Sequence, residues 1–172
     1  MPMALSARIG IRIVKSSTAT EERLALVRRV AAAAPALLFG STALELAYPE
    51  LLEHQPRDVD FLVPLESVPA IVGAIDHVWT SWEEPIDARC DLDVLRGRYY
   101  VRGRHAGRPT LDLTYESPIG WESAWARRVE RDGIAIACAA DLAVVYRTRA
   151  KPGDLELAAR LLAVREPVGL GQ

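Results

Sequence analysis

An α/β or α+β fold, with a short mixed, twisted sheet and flanking helices, is predicted by three features of the sequence. Short apolar runs such as "ALLF" and "DFLV" alternate with longer segments of helical periodicity, the pattern of helices packed on a sheet. Two strand-like runs, "RYYVRG" and "RPTLDLTY", are separated by "RHAG", whose Gly107 suits a hairpin turn. The 172 residues, 50% of them apolar and 26% charged, suit a single domain with a full core. Residues 1–172 therefore read as one domain, with 166–172 as a frayed tail.

The elements follow in order. "ATEERLALVRRVAAAAPAL" is predicted as a helix, with Thr20 as its cap, Glu21 and Glu22 at its positive end, and Leu24, Val27 and Val30 at helical spacing. Pro35 ends it. "ALLF" is a short buried strand, followed by a second helix in "STALELAYPELLE" that breaks near Pro49. "RDVDFLVP" alternates before turning wholly apolar, as a strand entering a core does, and Pro64 stops it. "LESVPAIVGAIDHV" is a third helix. The stretch from Trp79 to Arg96 has no clear period and reads as irregular with one helical turn. After the hairpin, "ESPIGWESAWARRVERDG" is a loop and short helix that Gly133 terminates, "IAIACA" is a strand, and "ADLAVVYRTRA" and "GDLELAARLLAVRE" are helices broken at Pro152-Gly153.

Composition excludes several classes. A net charge of −2 gives no sign of a long nucleic-acid footprint. Arg96, Arg98, Arg102, Arg104 and Arg108 crowd one segment but read as the wet face of a hairpin. No apolar run approaches the roughly 20 residues of a membrane helix, and the N-terminus lacks the apolar stretch of a signal peptide. Cys90 and Cys138 follow no redox or metal spacing, and His54, His77 and His105 no zinc motif. A reducing cytoplasm is expected. Trp79, Trp82, Trp121 and Trp125 read as core or rim packing.

The chemistry-bearing residues lie between Leu37 and Asp112. In "LLFGSTALELA" a strand turns into a helix at Gly40-Ser41 with nothing between; free amides at such a helix start bind phosphate, and Ser41 doubles as a plausible N-cap. The next strand opens Asp58-Val59-Asp60, and residues two apart on a strand share a face. Paired carboxylates repel unless a cation lies between them, and hard Mg²⁺ takes oxygen ligands. Asp112, flanked by Leu111 and Leu113, joins the pair if its strand lies beside that of Asp58. Asp91 and Asp93 repeat the Asp-x-Asp spacing, but no phosphate turn precedes them at short range. Arg89 and Arg96 stand near enough to pair with them.

The series "LFGSTALELA…RDVDFLVP…LDLTY" resembles the minimal nucleotidyltransferase pattern of the DNA polymerase β superfamily. Its Gly-Ser-Thr-Ala-Leu form is similar to toxin-type nucleotidyltransferases of abortive-infection systems (the AbiEii-like proteins). The resemblance spans roughly Ala36 to Leu162. It implies a minimal nucleotidyltransferase fold and Mg²⁺-dependent transfer of a nucleoside monophosphate from an NTP such as ATP to a hydroxyl of a protein, RNA or small molecule, with a toxin–antitoxin protein partner as one setting. Two Mg²⁺ ions, or Mn²⁺, would sit on Asp58, Asp60 and Asp112. Gly40 and Ser41 would bind the β- and γ-phosphates, and Asp112 would also help deprotonate the acceptor. Asp141-Leu142 and Asp154 match the helix that often follows in such relatives. Tyr146 and Gly153 stand where those relatives carry lysines, which leaves Arg147, Arg149 or Lys151 to contact the triphosphate. A nucleotide-binding or regulatory protein without turnover, and an antibiotic-type small-molecule nucleotidyltransferase, are the alternatives.

Overall fold

The computed structural model describes residues 18–87 and 92–165; Arg89, Cys90, Asp91 and the predicted tail lie outside them. Among these residues one eight-stranded mixed sheet runs in the order β4-β3-β5-β6-β2-β1-β8-β7. Helix α1 (Thr18–Ala33) leads to β1 (Leu37–Phe39), which passes directly into α2 (Gly40–Ala47). The buried stripe of α1 is Leu26, Val27 and Val30, four-residue spacing on one face. Thr20 sits inside its first turn rather than at its cap, and its side chain meets Arg23. Tyr48-Pro49 closes α2, because proline cannot continue its hydrogen-bond ladder.

Strand β2 (Asp58–Leu62) pairs antiparallel with β1 and parallel with β6 (Thr110–Thr114). β6 forms the expected hairpin with β5 (Tyr100–Arg104) across a turn in which Gly107 takes a positive φ of 72°. Alternation decides the faces. Val59, Phe61, Val101, Leu111 and Leu113 are fully buried on one side, where α1 packs against β2, β8 and α3 (Val68–Ala74). The residues between them, Asp58, Asp60, Arg102 and Asp112, point to the other.

The segment without a sequence period is partly strand: β3 (Val78–Ser81) pairs with β5 and with the two-residue β4 (Glu84–Pro85), and α4 (Leu92–Leu95) is one turn. Trp82 and Glu83 turn the chain with positive φ at two non-glycine residues, so no glycine or asparagine marks the hairpin. Gly133 does not terminate a helix. Helix α5 (Trp121–Arg127) ends earlier, and Asp132-Gly133 makes the turn between β7 (Val129–Arg131) and β8 (Ile134–Ile136). Helices α6 (Ala139–Arg149) and α7 (Asp154–Leu162) form a packed pair at the C-terminal end.

Candidate active site

One row of side chains crosses the middle of the sheet. Asp60 on β2 stands opposite Asp112 on β6, which stands opposite Arg102 on β5; on the other flank Asp60 stands opposite Phe39, the last residue before Gly40. Neighbouring strands lie about 4.8 Å apart, so the row brings the turn, two acids and one guanidinium together. Asp58 lies two residues before Asp60 on the same face, opposite Thr110. The sequence-predicted acids are therefore gathered on one face, mid-sheet.

The turn itself is built around Asp60. Gly40 has φ +72°, and a Cβ there would collide with Asp60 Oδ2; glycine supplies both the left-handed conformation and the room. The cap position of α2 is Phe39, not Ser41, and no side chain caps the helix, so its first amides are not taken by a capping oxygen. Thr42, fully buried, donates its Oγ1 hydrogen to the Asp58 carbonyl at 2.7 Å, tying α2 to β2.

The electrostatics of the row are uneven. Burial, then the neighbouring Asp112 and Asp58 charges, push Asp60 up to about 7. Neither Asp58 nor Asp60 has an ion-pair partner among the described residues, and two such oxygens on one strand face are the donor set a hard divalent cation takes. Asp112 differs. Arg102 donates Nε–H to its Oδ1 and Nη2–H to its Oδ2, both at 2.7 Å, a bidentate charge-assisted pair. Among the described residues no three His, Cys, Asp or Glu side chains gather into a metal cage.

The remaining wall comes from α6. Tyr146 and Arg149 share with Ser41, Leu44 and Gly153 a cavity of about 200 Å³, and both lie close enough to Asp60 to be coupled to it electrostatically. Arg149 stacks 4.8 Å over the Tyr146 ring and grips buried Asp154 at 2.7 and 2.6 Å. Arg149 is thus the cation presented to the turn. Lys151 is exposed beyond the helix end; its backbone N–H caps Asp154 and its side chain does not line the cavity. A larger groove of about 810 Å³ shares Ser41 and His54 with this cavity and has Arg23, Arg57 and Asp58 in its wall.

The hydrogen bond from Arg149 holds the Asp154 carboxyl below the ordinary carboxylate range, aided by the Lys151 amide against the opposing effect of burial. A depressed folded value means stability that is present above the usual carboxylate value and lost as pH falls through the folded one. Asp154→Asn should therefore cost about 2 kcal/mol at neutral pH. Urea melts of the two proteins should keep that gap from pH 8 to about 5 and close it below about 4; a gap that widens in acid would contradict the ion pair.

Other predicted candidates are placed elsewhere. Asp93 pairs with Arg96 at 3.3 Å on the short helix α4, both side chains exposed, and Asp91 lies outside the described residues. Asp141 is buried under Arg127 at 2.7 Å and accepts from Cys138, a structural anchor for α6. Four of the five arginines in the crowded segment are in ion pairs: Arg96 with Asp93, Arg98 with Glu84, Arg102 with Asp112 and Arg104 with Glu83. Trp79 is core, Trp121 and Trp125 stack on each other at the rim, and Trp82 is exposed at the β3–β4 turn.

The mixed sheet with its flanking helices is consistent with a nucleotidyltransferase fold. The solved structure of the Megavirus polyadenylate synthase shares it, with a TM-score of 0.56 and 14% identity over 87% of this chain. The chain spans 32% of that protein's length. An H. pylori protein provisionally described as a nucleotidyltransferase aligns with a TM-score of 0.44 and 20% identity over 75% of this chain and 57% of its own, too distant to carry weight. No family model and no curated protein matches the sequence. Among the described residues no helix is long and apolar enough to cross a membrane.

Proposed function

We propose that this protein transfers a nucleoside monophosphate from an NTP to a hydroxyl acceptor, releasing pyrophosphate. The observation that carries this function is the register of Asp60 against Asp112 with Gly40 packed on the Asp60 carboxylate. The name of the polyadenylate synthase on the same fold agrees with it. The amides at Gly40 and Ser41 would take the terminal phosphates, helped by Arg149 across the cavity. Asp58 and Asp60 would hold Mg²⁺, or Mn²⁺, which when bound neutralises phosphate charge and aligns the displacement. The acceptor oxygen bonds to the α-phosphorus as the bond to pyrophosphate breaks, and the hydroxyl proton passes to Asp112. Arg102 fixes that carboxylate in place through two hydrogen bonds. The acceptor class, and any toxin–antitoxin partner, rest on the sequence resemblance alone.

The Arg102–Asp112 pair favours one second reading, a nucleotide-binding protein without turnover, because both oxygens of that carboxylate are already taken by the guanidinium and not turned to an acceptor. Calorimetry with each common NTP tests the shared part of both. Binding is expected in Mg²⁺ and should fall at least about tenfold in EDTA, as two acids beside the phosphate turn repel an unshielded triphosphate. Equal binding in EDTA would remove the carboxylate–metal basis of both. Transfer of label from the α-phosphate separates them: label on an acceptor means turnover.

A further inference from the structure

Resting on the nucleotidyl-transfer reading, the side-chain row on the acid face carries one step more. In a two-ion site the third carboxylate must ligate an ion about 3.5–4 Å from the first. Here both Asp112 oxygens already accept from Arg102 at 2.7 Å. The pair is well seated: the Asp112 side chain is 13% exposed, and the Arg102 guanidinium also lies 5.7 Å from the Tyr100 ring centroid. Arg102 is placed there by backbone register, opposite Asp112 in the β5–β6 ladder. A guanidinium stays charged at any working pH. An ion bound to Asp112 would have to lie against it or displace it. Among the described residues neither Asp58 nor Asp60 is in an ion pair, and Arg149, the other guanidinium near Asp60, gives two hydrogen bonds to Asp154.

We infer that this site takes a single divalent ion, on Asp58 and Asp60, and that Arg102 occupies the electrostatic place of a second ion at Asp112. Arg102 is then a positioning residue: it supplies fixed positive charge and sets the orientation of Asp112. Exchanging it for a neutral side chain should open the second ion position.

The test counts Mn²⁺ on the full chain from the loss of the free-ion EPR signal, with no nucleotide needed for the readout. Wild type is expected to bind one Mn²⁺ and Arg102→Gln two. The double variant Arg102→Gln/Asp112→Asn replaces a neutral ion pair by a neutral amide pair, and should return to one ion bound as tightly as in wild type. Two ions in wild type would overturn the inference and leave the nucleotidyl-transfer reading standing. So would one ion in a folded Arg102→Gln, or loss of the ion in the double variant. Should Arg102→Gln fail to fold, the wild-type and double-variant counts still decide. No Mn²⁺ on wild type, with or without an NTP, would overturn the inference and the metal-dependent reading together.

Discussion

Asp60→Asn is expected to abolish transfer while leaving the protein folded and more stable in metal-free buffer. The two effects have one cause. Asp60 sits between Asp112 and the start of α2, pushed up to about 7 by burial first and by its two acidic neighbours second. A carboxyl whose folded value is raised stabilises less as pH climbs past its ordinary value, and that loss is complete above the folded value. Removing it should therefore leave stability unchanged below about pH 4 and raise it progressively up to about pH 7. Asp60 retains some exposure at its surface, so the gain is on the order of 2 kcal/mol, short of the full shift converted at about 1.4 kcal/mol per unit. For transfer, losing one of two metal-holding carboxylates forfeits several kcal/mol of charge stabilisation, a fall of about a thousandfold or more. Thermal melts in EDTA across pH 4–8, beside a labelled-NTP assay, read both. A variant that melts lower at pH 7 than wild type would make Asp60 a structural group and remove it from the site.

Gly40→Ala should be the most damaging single-methyl change at the turn. It adds a left-handed penalty of about 1–2 kcal/mol at φ +72°. It also drives a methyl into the Asp60 carboxylate, for which overpacking costs of about 1–3 kcal/mol are typical. Together a loss near 3 kcal/mol is expected, with NTP binding lost as Asp60 is displaced. Gly107→Ala provides the comparison. Gly107 also has φ +72° but nothing within 4 Å of where a Cβ would stand, so it should pay only the backbone penalty and keep nucleotide binding. Equal losses in the two variants would show that the close approach of Gly40 to Asp60 contributes nothing.

Much of the site was legible because it lies on short, strongly patterned segments. Asp58 and Asp60 are two apart on a strand whose apolar partners announce its buried face, and Asp112 is pinned outward by Leu111 and Leu113. Gly40-Ser41 could be placed because an apolar strand runs straight into a helix. What escaped was governed by pairing. The β3–β4 hairpin turns on Trp82 and Glu83 at positive φ, residues that carry no turn signal, and β7 is three residues long with only partial burial. Asp132-Gly133, a known hairpin dipeptide, was the available signal that Gly133 joins two strands.

Arg102 shows the limit most plainly. In the chain it is one of several arginines in a strand-like run, and alternation alone puts it on the wet face with Tyr100 and Arg104. Its selection of Asp112 comes from the antiparallel register of β5 against β6. That Asp112 also neighbours Asp60 comes from a parallel pairing between strands some fifty residues apart. By itself the sequence determined which residues are acids and glycines, the strands that carry them and the face each side chain takes, since those depend on local period and steric freedom. Only the tertiary structure decided that Asp58 and Asp60 have no ion-pair partner among the described residues, that Asp112 already has one, and that Arg149 rather than Lys151 faces the turn. Coulomb energy depends on distances between side chains on different elements, and those distances exist only once the strands have paired and α6 has packed against α7.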